Sequence, residues 1–181
     1  MKKLIYVFIA CILFSNIISA QAEDKWFTIK DTDAAYSIQF PKEPIKGADD
    51  VETGNGTVKM NTYTLQLDND VNLIYMSSFT KYPDSFFPDR LDSITKQKEV
   101  LENSINGAVT NTNGKLILDE SIIFNGYNGK KAKIEVDGGY IINMQVLLVG
   151  VQLYITQIIY SKEDDGNTGA RRFFDSFELI N

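Results

Sequence analysis

Histidine is missing from this 181-residue sequence altogether, and cysteine occurs once, at Cys11. Without an imidazole, neither a Ser-His-Asp nor a Cys-His catalytic arrangement can be assembled, and His-ligated zinc or iron is excluded. A single thiol closes no intrachain disulfide, so the chain must hold together by packing. Positive charge is also in short supply: 18 Lys and Arg stand against 24 Asp and Glu, a formal net charge of -6. That balance fits neither nucleic acid nor an anionic membrane surface, and serves solubility. The glycines match neither a phosphate-binding loop nor a dinucleotide fingerprint, and no EF-hand spacing is present. No catalytic motif stands out.

What is present begins with a leader. Lys2 and Lys3 precede an apolar run from Leu4 to Phe14, and Ser15 to Ala22 ends in Ala20-Gln21-Ala22. The run is shorter than the roughly 20 residues of a membrane span. The pattern is that of a secretory signal peptide, residues 1–22, cut after Ala22. A lipoprotein reading, with lipid on Cys11, would leave a stub of apolar region and put Ile12-Leu13-Phe14 where a polar tether belongs, so it is set aside. The expected product is one domain, residues 23–181, exported to the periplasm or the cell exterior, with no transmembrane segment and no cysteine. Nothing in it specifies an oligomeric state.

The stretch Tyr140 to Tyr160 organises the rest. Folded at Val149-Gly150, it pairs Leu148 with Val151, Val146 with Leu153 and Met144 with Ile155, with Gln157 opposite Ile142 on the apolar face. The opposite face carries Asn143, Gln145, Gln152, Tyr154 and Thr156 beside Ile141 and Leu147, and reads as a hydrogen-bonding surface rather than a second core. With Asp137-Gly138-Gly139 as a loop, Val136 meets Tyr140, Ile134 meets Ile142 and Ala132 meets Met144. The same register sets Lys131, Lys133 and Glu135 beside Gln145, Asn143 and Ile141.

Earlier in the chain, Trp26 to Ile29 and Tyr36 to Phe40 read as strands, and Lys42 to Thr57 as a polar surface loop. The sequon Asn55-Gly56-Thr57 in that loop is discounted as a chance match. Val58 to Leu67 and Val71 to Thr80 form a hairpin over Asp68-Asn69-Asp70, pairing Leu65 with Leu73 and Tyr63 with Tyr75. A helix follows Pro88, with Leu91, Ile94, Leu101 and Ile105 on one face and Lys96, Glu99 and Glu102 on the other. Asn106 to Gly114 reads as a polar link, Lys115 to Phe124 as a strand, and Asn125 to Gly129 as a turn. Asp164, Asp165 and Asn167 offer caps for a short helix carrying Ala170, Phe173 and Phe174, before a strand or tail at Phe177 to Leu179.

Two helices on an antiparallel meander make an α+β layered domain. Tyr-Ser-Ile-Gln-Phe-Pro at 36–41, Gly-Tyr-Asn-Gly at 126–129 before a hairpin ending in Gln152-Leu153-Tyr154, and Arg-Phe-Phe-Asp-Ser-Phe at 172–177 resemble the PsbP/DcrB-like group of small secreted or lumenal proteins. The resemblance covers nearly the whole chain after the leader. It implies a sheet sandwiched by helices, and binding or accessory work on larger assemblies instead of catalysis. No shared active site comes with it.

The polar sheet face, Lys131, Lys133, Asn143, Gln145, Tyr154 and Thr156, is the candidate binding surface for a cell-envelope protein or a small ligand. No cofactor or metal is expected: Asp68-Asn69-Asp70 and Asp164-Asp165 sit where a turn and a cap need them. The competing reading is a hydrolase using carboxylates such as Asp119 or Glu120, although neighbours on a strand point to opposite faces. Asp89 and Asp92 share a helix face near its N-terminus, where acids favour the dipole. The aromatics Tyr63, Tyr75, Phe79, Tyr82, Phe86 and Phe87 are expected in the core.

Overall fold

The computed structural model describes residues 25–87, 91 and 93–180. The leader with Cys11, and Asp89 and Asp92, lie outside them. In chain order the elements are β1 (Phe27–Asp31), β2 (Tyr36–Phe40), β3 (Ile45–Thr53), β4 (Gly56–Gln66), β5 (Asn72–Lys81), α1 (Ile94–Thr112), β6 (Lys115–Phe124), β7 (Tyr127–Val136), β8 (Tyr140–Val149), β9 (Gln152–Ser161), α2 (Thr168–Asp175) and β10 (Glu178–Leu179). A seven-stranded antiparallel sheet runs β3-β4-β5-β9-β8-β7-β6, and a three-stranded sheet runs β1-β2-β10. The hairpin β8–β9 is central to the larger sheet.

Each face of that sheet buries its own core. On one side α1 sets Leu101 and Ile105 against Ala132, Ile134, Ile142, Met144, Val146 and Leu148. Ser93 caps this helix, its Oγ accepting from the Lys96 N–H at 3.2 Å, and Asn113 ends it in the left-handed region. The polar link expected from Asn106 is helical to Thr112. Ala108 and Val109 carry the apolar stripe on from Leu101 and Ile105, and packing outweighs the polar residues between them. Ile94 sits on the same stripe but in a first turn with no buried residue, and is 63 % exposed.

The other side overturns the reading of a merely hydrogen-bonding surface. Tyr36, Ile38 and Phe40 of β2 and Phe173, Phe174 and Phe177 at and beyond α2 close over Tyr75, Ile141, Leu147, Tyr154, Ile158 and Tyr160. Edge-to-face rings link the layers, Phe173 lying 5.2 Å from Phe40 and 5.3 Å from Tyr75. It is a second core, aromatic where the first is aliphatic. Tyr63, Tyr75 and Phe79 belong to it, whereas Tyr82 and Phe87 pack at the edge of the α1 side.

Two hairpin registers differ from expectation by two residues. Val149 pairs with Gln152, so Gly150-Val151 is the turn, with Gly150 at φ 58°. Gln157 therefore lies opposite Met144. In the earlier hairpin Leu65 pairs with Tyr75 and Tyr63 with Ser77. A shift of two preserves which face each side chain takes, so the cores survive it. Asn125-Gly126 alone makes the next turn, both residues at positive φ, and Tyr127 already pairs with Phe124. The expected loop at 42–57 is instead mostly strand β3. An edge strand needs few core residues, and its Asp49, Asp50 and Glu52 stay wet while the backbone pairs with β4.

Candidate functional site

The six residues of the predicted polar face separate by burial. Tyr154, 2 % exposed, and Thr156 lie within the second core; the Tyr154 hydroxyl donates to the Ala34 carbonyl at 2.8 Å. Together with Gln145 and Phe177 they line a slot of about 10 Å³, room for about one water. Neither can meet a partner from solvent. Lys131 is exposed, Lys133, Asn143 and Gln145 are half-buried, and these four form a strip beside the covering layer. Lys133 is already engaged: its Nζ donates to both Asp165 oxygens at 2.7 and 2.8 Å, and Tyr160 Oη donates to the same carboxylate at 2.7 Å.

Burial opposes ionisation of Asp165, but Lys133 and Tyr160 outweigh it and hold its carboxyl below the usual 3.8. Asp31 behaves alike: burial is outweighed by the Ala34 N–H at 3.0 Å, Tyr63 Oη at 2.8 Å and the Lys46 charge. Groups with lowered folded-state pKa values contribute stability above their unfolded values and lose it as pH falls through the folded ones. The urea midpoint should therefore drop between about pH 5 and pH 2. An Asp31→Asn, Asp165→Asn double variant should begin lower at pH 5 and fall less; an unchanged acid slope would contradict the assignment.

A roomier concavity lies elsewhere, at the end of the aromatic core. There the β4–β5 loop, the approach to β1, Pro41-Lys42 and the first turn of α2 enclose about 800 Å³. Its floor is a polar network. Asn72, 1 % exposed, and Asn167 exchange amide hydrogen bonds at 2.9 and 2.8 Å, and Asn72 Nδ2 also donates to Tyr75 Oη at 2.9 Å. Tyr75 Oη donates in turn to Asp70 Oδ1 at 3.2 Å, which also takes the Asn72 N–H at 2.8 Å. Burial pushes the Tyr75 phenol well above its ordinary 10, so it stays a neutral donor. The helix can approach this floor because Gly169 has no side chain: a Cβ there would stand 2.7 Å from Asn72 Nδ2. Trp26 forms the wall, edge-on to Tyr75 at 5.9 Å and with the Arg172 guanidinium 4.5 Å from its ring centre. Lys25, Lys42 and Asp68 stand at the rim.

The cleft offers amide and hydroxyl hydrogen bonds, an aromatic wall and charges of both signs. It does not recruit the acids named for hydrolysis. Asp119 is ion-paired with Lys130 Nζ at 2.7 Å, and Glu120 sits on the opposite face of the same strand. Among the described residues no cluster of acids is arranged to hold a metal ion. In the sequence, Asp68-Asn69-Asp70 read as a turn and Asn167 as a cap, and both hold; Asn167 Oδ1 accepts from the Ala170 N–H at 2.8 Å. That Asn72, just past the turn, meets the cap across 95 residues had no local signal.

No family model matches the chain, and no curated protein matches it in sequence. Its structure is similar to the solution structure of cyanobacterial PsbP (CyanoP) from Synechocystis sp. PCC 6803, with a TM-score of 0.57 and 12 % identity over 87 % of this chain and 94 % of that one. The chain therefore has the PsbP-like α+β fold that its residues suggested. At that identity the likeness is one of fold.

Proposed function

We propose that this protein is an exported, non-catalytic accessory domain that binds a cell-envelope protein or a small ligand in the cleft walled by Trp26. The observation that carries the reading is the cleft itself, about 800 Å³ in volume, open, and floored by a network of side-chain hydrogen bonds among Asn72, Asn167 and Tyr75. A preorganised polar floor limits the ordering cost of binding. The accessory work implied by the PsbP-like resemblance points the same way. Export rests on the leader at residues 1–22; among the described residues no helix is long and apolar enough to cross a membrane.

Affinity capture from a native envelope extract tests this with three forms of the protein: wild type, a rim variant carrying Lys42→Glu and Asp68→Lys, and Lys131→Glu on the sheet strip. A partner retained by wild type and Lys131→Glu but lost from the rim variant supports the cleft. The emission of Trp26, the only tryptophan, should shift when that partner is added back. Retention by the rim variant with loss from Lys131→Glu would move the binding surface to the strip of Lys131, Lys133, Asn143 and Gln145. If nothing is retained, a screen of small oligosaccharides and peptides that leaves Trp26 emission unchanged would overturn the reading.

A further inference from the structure

The two edges of the seven-stranded sheet are built differently. At one edge β3 carries Asp49, Asp50 and Glu52 in its second half, a charged run that discourages a further strand there. At the other, β6 reads Lys-Leu-Ile-Leu-Asp-Glu-Ser-Ile-Ile-Phe, and none of its residues is fully buried. Ile117 is 43 % exposed and Ile123 68 % exposed. Among the described residues only β7 pairs with it, and none of them offers a strand to its outer backbone N–H and C=O groups. A recess of about 220 Å³ lies along it on the α1 side, lined in part by Leu101, Ile123, Asn128 and Lys130.

From this edge we infer that β6 is a docking strand: an extended segment of a partner protein adds beside it as a further strand, with a basic residue at its centre and apolar residues at alternate positions on either side. The register dictates that pattern. Leu118, Glu120, Ile122 and Phe124 face the same way, opposite Lys133, Lys131, Gly129 and Tyr127. An incoming strand on this face meets apolar, acidic, apolar, apolar. Asp119, on the other face, is committed to Lys130, whereas Glu120 is exposed and makes no ion pair among the described residues. A Lys or Arg beside Glu120 completes a cross-strand charge pair, while flanking apolar side chains cover Leu118 and Ile122. Main-chain bonds supply affinity and the central charge supplies selectivity.

A second copy of this chain fits less well. Two β6 strands in full antiparallel overlap set Lys115 opposite Phe124 and therefore Asp119 opposite Glu120, acid against acid. Pairing β6 with β3 of a second copy brings its acidic centre to Asp49, Asp50 and Glu52. This surface is separate from the cleft, and the proposal stands or falls independently of it.

The test uses a capped nine-residue peptide, Val-Thr-Val-Thr-Lys-Thr-Val-Thr-Val, beside the same peptide with a central Glu and one N-methylated at alternate residues. Binding is followed by chemical shifts and by amide exchange of residues 115–124. The Lys peptide should bind about fivefold more tightly than the Glu peptide, the size of effect expected of cross-strand charge pairs. It should protect β6 amides, and the N-methylated peptide should not bind. In Glu120→Lys, with an unchanged unfolding midpoint as the folding control, the order of the Lys and Glu peptides should reverse. Absence of binding, equal affinities, protection outside β6, or binding of the N-methylated peptide would each overturn the proposal. So would concentration-dependent self-association that protects β6.

Discussion

Tyr154→Ala should destabilise the protein by about 3–5 kcal/mol, the cost of removing a large aromatic from a closed core. Tyr154 ties the large sheet to the layer that covers it. Its ring lies 5.7 Å from Tyr36, 5.3 Å from Phe79 and 5.9 Å from Phe177, and its hydroxyl reaches the Ala34 carbonyl. Truncation would open a void between the sheets and strip that carbonyl of a partner. Burial pushes the phenol up to about 12, so it donates as a neutral group throughout the working pH range. Tyr154→Phe separates the two contributions: it keeps the ring and should cost only about 1 kcal/mol for the hydrogen bond. Urea midpoints at constant slope measure both. A Tyr154→Ala protein as stable as wild type would mean that the three-stranded sheet is not docked in solution.

Asn167→Ala should cost about 2–4 kcal/mol, the sum of a lost helix cap and an orphaned buried amide. Asn167 does two jobs at once. Its Oδ1 accepts from Ala170 N at 2.8 Å and from Asn72 Nδ2 at 2.9 Å, and its Nδ2 donates to Asn72 Oδ1 at 2.8 Å. Without it, Asn72 keeps Tyr75 but loses both bonds to α2. Asn167→Asp is the informative companion. A carboxylate still caps the helix and still accepts from Asn72, but cannot donate back, so about half the loss should return. Amide exchange should show α2 and the β4–β5 loop loosening together in Asn167→Ala. If only α2 loosened, the amide pair would carry little of the docking energy, and the floor of the cleft would not be rigid.

These two residues show what a single chain does and does not disclose. The alternation in Tyr140 to Tyr160, the Asp-Gly-Gly loop and the Ala132–Ile134–Val136 face are local periodicities. They led directly to β7, β8 and β9 with the right faces. A two-residue slip in a hairpin leaves those faces untouched, which explains why registers were misread without misplacing the core under α1. The Asn167 cap and a turn beginning at Asn125 are likewise local chemistry, written in a few residues, although the turn proved shorter than its Asn125 to Gly129 span suggested.

The candidate surface failed where distance along the chain entered. On β9, Tyr154 and Thr156 look like a polar face because nothing nearby in sequence covers them. The cover is β2, more than a hundred residues before, and Phe173 to Phe177 after. Strand β3 was missed for a related reason: an edge strand takes its order from a neighbour's backbone, and composition does not record that. Residue type and short-range period were enough to exclude imidazole chemistry and to reach the α+β class and the apolar face that β7, β8 and β9 turn to α1. Which polar face became core, the meeting of Asn72 with Asn167, the cleft beside Trp26 and the open edge of β6 came from long-range packing, because each depends on which remote segment closes over another at the cost of chain entropy.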